Sequence, residues 1–151
     1  MQTEEQRPSM LIRHLIYPRD VLDETGGLPV SLIPSQDLQI RGWSVDSLPP
    51  FTFDEFQAKK NMLLAGNPDR HYDGALTIAL LSIEQVVDQE TGSSLFEIIP
   101  CPTDENPSHT CVYLTDKQKS QSKVKQAREK INEVAKKLSE EQLVALIKQY
   151  S

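Results

Sequence analysis

Helical spacing of apolar residues is clearest near the C-terminus of this chain. In the segment KVKQAREKINEVAKKL, residues 123–138, apolar side chains recur every three or four positions, and Lys and Glu fill most of the others. Ser139 and Gln142 then have the spacing of a capping box, which opens a second, shorter helix. We therefore predict a helix, a break and a shorter helix within residues 117–151. The apolar positions of the first helix are Val124, Ala127, Ile131, Val134, Ala135 and Leu138.

Residues 75–115 have the pattern of β-strands instead. The segment ALTIALLSIEQVV is rich in β-branched residues and predicts a strand that continues to about Ile83 or Val87. LFEIIP (95–100) and TCVYLT (110–115) predict two more strands, which gives three mostly antiparallel strands in succession.

The pattern of the first fifty residues predicts further, shorter strands. MLIRHLIYP at 10–18 is a strand or a short amphipathic helix, and strands are predicted at 28–34 and 38–46. Gly42, inside the last of these, indicates a bulge or a close approach of another backbone.

One helix is predicted between the early and late strands. The Thr52 side chain can accept a hydrogen bond from an amide of the first helical turn, and the side chain of Glu55, three residues later, can accept one from the Thr52 amide. Gly66 predicts the end of this helix. Together these elements predict an α+β fold, with a mostly antiparallel sheet, one inserted helix and a C-terminal helical pair.

Acidic and basic residues are distributed unevenly along the chain. Residues 1–116 contain seven Lys and Arg against eighteen Asp and Glu, whereas residues 117–151 contain nine against four. The length suits one domain. We predict a disordered polar N-terminus at 1–9, a body at 10–116, and basic amphipathic helices at 117–151. These helices belong to the same domain or form an appended arm. An acidic body repels phosphates, so we expect nucleic acid to be contacted at most weakly, through the basic tail.

Neither a membrane span nor a secretory signal is visible in the sequence. No run of about 18 apolar residues occurs, and the first residues, MQTEEQRPS, are polar and acidic. With two cysteines and no such signal, we expect a cytoplasmic protein without a disulfide.

The segment TDENPSHTCVYL, residues 103–114, places His109 between Cys101 and Cys111. The three could be gathered around a metal ion, but structural zinc sites carry closely paired ligands such as Cys-x2-Cys, which the segment lacks. A Cys–His nucleophile needs an open cleft, and none of the usual catalytic motifs occurs in the chain. The prolines and Asn106 favour a turn that leads into a strand, with the His109 ring bonded to a loop carbonyl. We therefore predict a turn, and expect neither a metal nor another cofactor.

Three short motifs together resemble a group of small, uncharacterised bacterial proteins. They are Arg-x-x-x-x-Pro-x-x-Val from Arg13, Ser-Val-Asp from Ser44 to Asp46, and Asn-Pro-x-His ending at His109. The resemblance covers about residues 11–115 and implies an association with mobile-element or conflict gene neighbourhoods. It singles out four candidate binding residues, Arg13, Ser44, Asp46 and His109.

We predict that these four side chains face one cleft between the early strands and the start of the strand at Thr110. Arg13 lies among apolar residues in the sequence, and the charge of a buried arginine must be paired with a carboxylate or reach a solvent-filled pocket. Asp46 is the partner that we expect for it.

The preferred functional interpretation is a non-catalytic protein-binding or accessory module, because no catalytic motif stands out and the tail is amphipathic. Another protein would be its partner. The alternative is a small nucleotide-handling enzyme. The order of three residues, an early Arg13, Ser44 on a strand and a late His109, resembles the layout of ADP-ribosyltransferase-like folds. In those folds an Arg or a His binds a nicotinamide dinucleotide. Glu97 is the nearest counterpart of the glutamate in those folds.

Overall fold

A six-stranded antiparallel sheet forms the centre of the fold. The computed structural model describes residues 9–17, 20, 32–104, 106–115 and 121–150. The strand order is β4-β5-β2-β1-β3-β6, and each neighbouring pair is antiparallel. The predicted α+β class is therefore confirmed. The strands are β1 (Met10–Tyr17), β2 (Trp43–Leu48), β3 (His71–Ala79), β4 (Phe96–Pro100), β5 (His109–Leu114) and β6 (Lys136–Leu138).

Helices cover both faces of this sheet, because its strands bury apolar residues on both sides. One core contains Leu11 and Trp43 of the sheet together with residues of α2 and α3, and the other contains Ile12 and Leu48 together with residues of α1 and α4. The helices are α1 (Phe53–Leu64), α2 (Leu80–Glu84), α3 (Gln121–Val134) and α4 (Glu140–Gln149), and a π-helical turn covers Asp37–Arg41.

The C-terminal segment contributes a strand as well as two helices. The predicted helix was expected to run through Leu138, but α3 ends at Val134, and residues 136–138 pair with Ala75–Thr77 of β3. This pairing satisfies the backbone groups along that edge of β3. It also carries the chain from α3, on one face, to α4 on the other.

Two predicted strand boundaries were wrong. Asp37–Arg41 is helical, so β2 begins only at Trp43. The strand expected to reach Ile83 or Val87 ends at Ala79, because α2 turns Ile83 into the core beside α3.

The predicted caps at Thr52 and Ser139 were confirmed, although the Glu55 carboxylate bonds the hydroxyls of Thr52 and Ser108 and does not complete a capping box. The hydroxyl of Thr52 accepts a hydrogen bond from the Glu55 amide, and Ser139 opens α4 with a capping box. Gly42 has a φ of 86°, and a β-carbon there would lie 2.6 Å from Cβ of Cys111. A close approach is therefore present at Gly42, but it is made by the side chain of Cys111, where a backbone had been expected.

Some predictions concern residues outside the described part of the chain. Residues 1–8 of the predicted disordered N-terminus lie there, as does most of the predicted strand at 28–34. Ser9 is described, and its backbone bonds those of Leu48 and Leu80. The segment 10–18 takes the strand alternative, as β1. Among the described residues, no helix is long and apolar enough to cross a bilayer.

Candidate functional site

A cleft of about 460 Å³ lies between β2, α1 and the loop that joins β4 to β5. A smaller cavity of about 150 Å³ shares Ser44 and Lys59 with it and is also bordered by Arg13 and His14. Polar and apolar side chains both line the larger cleft: Ser44, Glu55, Ala58, Lys59, Met62, Thr103, Asn106 and His109.

Strand register brings three of the four predicted site residues to one face of the sheet. In the antiparallel pair of β2 and β5, Asp46 lies opposite His109 and Ser44 lies opposite Cys111. Because alternate residues of a strand point to the same face, Ser44, Asp46 and His109 all face α1. Ser44 and His109 line the cleft, and Asp46 is buried beneath it.

Arg13 alternates to the opposite face of β1 and therefore does not join them there. Its guanidinium lies 5.6 Å from the centre of the Trp43 ring, and Nη1 donates a hydrogen bond of 2.9 Å to the Ser44 carbonyl oxygen. β1 pairs with β2 only over Met10–Ile12, so the strands separate at Arg13 and let this side chain border the smaller cavity.

The carboxylate of Asp46 is the centre of a buried polar network. Its Oδ2 accepts hydrogen bonds from Nε2 of His14 at 2.7 Å and from Nζ of Lys59 at 2.9 Å, and its Oδ1 lies 3.4 Å from the Ser108 hydroxyl oxygen. The hydrogen-bond partners of Asp46 are thus His14 and Lys59, where Arg13 was expected. Asp46 takes these partners because His14, not Arg13, shares its face of the sheet.

The protonation states of this network follow from burial and charge. Burial would raise the pKa of Asp46, but the hydrogen bond from His14 and the charge of Lys59 outweigh it and lower that pKa to about 2. Burial lowers the pKa of His14, although Asp46 opposes the shift. At neutral pH, His14 is therefore neutral and Asp46 is ionised.

Both ring nitrogens of His14 are consequently engaged. Nε2 donates its proton to Asp46, which leaves Nδ1 to accept the hydroxyl proton of Tyr72. Burial raises the pKa of Tyr72, so this hydroxyl keeps its proton. The network links β1, β2, β3 and α1. Asp46, His14 and Tyr72 are buried, and Lys59 is partly exposed where it lines the cleft.

The loop from β4 to β5 forms the outer wall of the cleft. Thr103 and Asn106 exchange two backbone hydrogen bonds, which gives the predicted turn. The Ser108 hydroxyl donates to the Glu55 carboxylate at 3.0 Å and so connects the loop to α1. Nδ1 of His109 lies 2.9 Å from the Cys101 carbonyl oxygen, which confirms the predicted bond of its ring to the loop.

A disulfide joins Cys101 to Cys111, and the expectation that none would form was wrong. Ile99 lies opposite Cys111, and the Cys101 amide donates to the His109 carbonyl oxygen. The ladder therefore continues past β4 and sets the two cysteines diagonally across it, with Cα atoms 6.1 Å apart. This separation is within the range that a disulfide spans.

The site also contains residues that were not among the four binding residues predicted from the sequence: His14, Glu55, Lys59, Tyr72 and Ser108. A histidine inside the apolar strand LIRHLIY was one available signal, since a buried imidazole needs partners. Glu55 and Lys59 are four residues apart on α1, which places them on one side of that helix.

No protein-family model, curated protein or solved structure matches this chain. The resemblance to small bacterial proteins therefore stays a prediction.

Proposed function

We propose that this chain is a non-catalytic protein-binding module that receives a basic segment of another protein in the cleft between β2, α1 and the β4–β5 loop. The observation that carries the proposal is that the polar side chains beneath the cleft, those of His14, Asp46 and Tyr72, are hydrogen-bonded to one another. The resemblance to small bacterial proteins adds an accessory role in mobile-element or conflict systems.

The non-catalytic part of the proposal rests on the state of His14. A general base must reach a proton of its substrate directly or through one water molecule. Both nitrogens of His14 are bonded inside the protein, to Tyr72 and Asp46, and all three residues are buried. This network supports the floor of the cleft and offers no free base to a ligand there.

The basic character of the partner follows from the charges of the lining. Lys59 is paired with Asp46, so the two charges cancel. Glu55 leaves the cleft with a negative charge. Ala58 and the exposed Met62 add an apolar wall, against which the methylene stem of a Lys or Arg side chain can pack. The excess of acidic residues in the body also attracts a basic partner over a longer distance.

The smaller cavity supports a second candidate function, the nucleotide-handling enzyme. Arg13 borders this cavity, and a guanidinium suits a phosphate group. Glu97, however, lies opposite Tyr113 on β4 and is not among the residues that line either cavity. The enzyme therefore has less support than the binding module.

Selection of peptides from a displayed random library on the immobilised chain tests the proposal. We expect enriched peptides to carry Lys or Arg beside an apolar residue. A Glu55→Lys chain should lose them, and a Glu129→Lys chain, altered on the exposed side of α3, should keep them. Enrichment of acidic peptides, or binding that both variants keep, would contradict the proposal. Binding of NAD⁺ with release of nicotinamide would favour the enzyme instead.

A further inference from the structure

Three metal-ligating side chains lie together where β4 leads into the loop and β5 begins. Sγ of Cys101, Sγ of Cys111 and a ring nitrogen of His109 are all within 4.8 Å of one another. Nδ1 of His109 is 3.3 Å from Sγ of Cys101. The spacing along the sequence argued against a metal site, but the strand pairing supplies the proximity that this spacing lacks.

We propose that reduction of the Cys101–Cys111 disulfide creates a binding site for one Zn²⁺ ion, with both thiolates and His109 as its ligands. A dithiol reductant supplies two electrons and two protons, the S–S bond breaks, and the reductant becomes a disulfide. Zn²⁺ then displaces the two thiol protons into solvent as two Zn–S bonds and one Zn–N bond form. For Nδ1 of His109 to bind the metal, it gives up its hydrogen bond to the Cys101 carbonyl oxygen, and the neutral ring carries its proton on Nε2 instead.

The present geometry is close to what such a site requires. Zn–S bonds of about 2.3 Å and Zn–N bonds of about 2.0 Å at tetrahedral angles place sulfur and nitrogen about 3.6 Å apart and the two sulfurs about 3.8 Å apart. Cys101 and His109 are already near the first of these separations. Once the disulfide is broken, rotation of the Cys101 side chain can provide the second.

Cys101 is the ligand with room to move. It follows the last residue of β4 and is half-buried, whereas Cys111 is buried within β5. Gly42 also lies directly against the Cys111 side chain, since a β-carbon at Gly42 would be 3.1 Å from the Cys111 sulfur. Cys111 and His109 therefore form the fixed part of the site.

The ligand chemistry selects the metal. Two thiolates and one imidazole suit Zn²⁺ and disfavour Mg²⁺ and Ca²⁺, which prefer oxygen ligands. Three protein ligands leave the fourth tetrahedral position to a water molecule. The site adjoins the cleft, because His109 lines it, but zinc binding does not depend on the proposed binding of a basic partner.

Titration of the full chain with Co²⁺, followed by displacement with Zn²⁺, tests this inference. After reduction with a phosphine, we expect one Co²⁺ per chain, with the absorption of a thiolate-to-cobalt charge-transfer band. The oxidised chain should show neither. His109→Gln should weaken Co²⁺ binding by at least about tenfold, and Cys101→Ser should remove most of the charge-transfer band. His71→Gln is the matched control, because His71 is exposed on β3.

Three outcomes would overturn the inference. The reduced wild-type chain could fail to bind Co²⁺, the oxidised chain could bind it equally well, or His109→Gln could retain the wild-type affinity. The first two compare one unaltered sequence in two redox states, so they do not depend on the folding of any variant.

Discussion

Nε2 of His14 donates a hydrogen bond of 2.7 Å to Oδ2 of Asp46, and the two side chains are 6% and 0% exposed. The contact bridges β1 and β2 where their pairing ends, because Ile12 and Asp46 are the last paired residues in that direction. Lys59 brings α1 to the same oxygen. One carboxylate therefore fixes the two strands and the helix that form the cleft.

Removal of this carboxylate should destabilise the fold strongly. Asp46→Asn removes the charge of a fully buried carboxylate and leaves the partly exposed ammonium of Lys59 without its counter-charge. Because Asp46 makes charged hydrogen bonds to two partners, the change should cost about 2 kcal/mol or more. Asp73→Asn is the control. It disrupts a half-exposed pair with Lys137, which should cost less than about 1 kcal/mol. Urea unfolding measures both changes, and similar costs for the two variants would show that Asp46 does not organise the site.

His14 should make the stability of the protein depend on pH below about 6.5. Its pKa is lower in the folded chain than the ordinary value of 6.5, so the unfolded state binds more protons. The contribution of His14 to the free energy of unfolding is therefore fully present above pH 6.5, and it is lost as the pH decreases toward the pKa of His14 in the folded chain. His14→Gln should show a smaller loss between pH 7.5 and pH 5 in urea unfolding. An equal loss in both proteins would exclude His14 as its source.

Asp46 should add a second loss at lower pH. Its pKa is about 2 in the folded chain against 3.8 as the ordinary value. Its contribution, about 2 kcal/mol, is present above pH 3.8 and disappears as the pH falls toward 2.

Signals that depend on near neighbours were the ones that the sequence could predict. The caps at Thr52 and Ser139 need only residues three positions away, and both are present. The strand β6 and the disulfide depend on which strands become neighbours, which hydrophobic periodicity does not specify. Ser44 and Asp46, which the resemblance singled out, share one face of β2 because they are two residues apart on that strand. The partner of Asp46 was missed, because it depends on the side of β1 that faces α1.

Gly42 should tolerate a methyl group less well than Gly66 does. Both have positive φ values, 86° and 70°, so alanine is strained at each. Only at Gly42 would the new carbon meet Cys111, at 2.6 Å, whereas nothing lies within 4 Å of it at Gly66. We expect Gly42→Ala to cost at least about 1 kcal/mol more than Gly66→Ala. Equal melting temperatures for the two variants would contradict this close approach.

The last helix should be essential to the core. Leu143 of α4 is fully buried among residues of β1 and α1, so Leu143→Ala should cost about 2–5 kcal/mol. Leu81→Ala is the control, because Leu81 is 66% exposed and its truncation should change stability by less than about 0.5 kcal/mol. Unfolding in urea compares them. A small effect at Leu143 would mean that α4 is an appended arm.

The affinity of a library-selected basic peptide for three forms of the chain tests the proposed function most directly. Fluorescence anisotropy of the labelled peptide would compare wild type, Glu55→Gln and Glu129→Gln at one fixed salt concentration. We predict that Glu55→Gln binds at least about tenfold more weakly, which corresponds to about 1.4 kcal/mol for the lost charge pair, and that Glu129→Gln binds like wild type. Equal affinities for all three forms would contradict the claim that this cleft receives a basic partner.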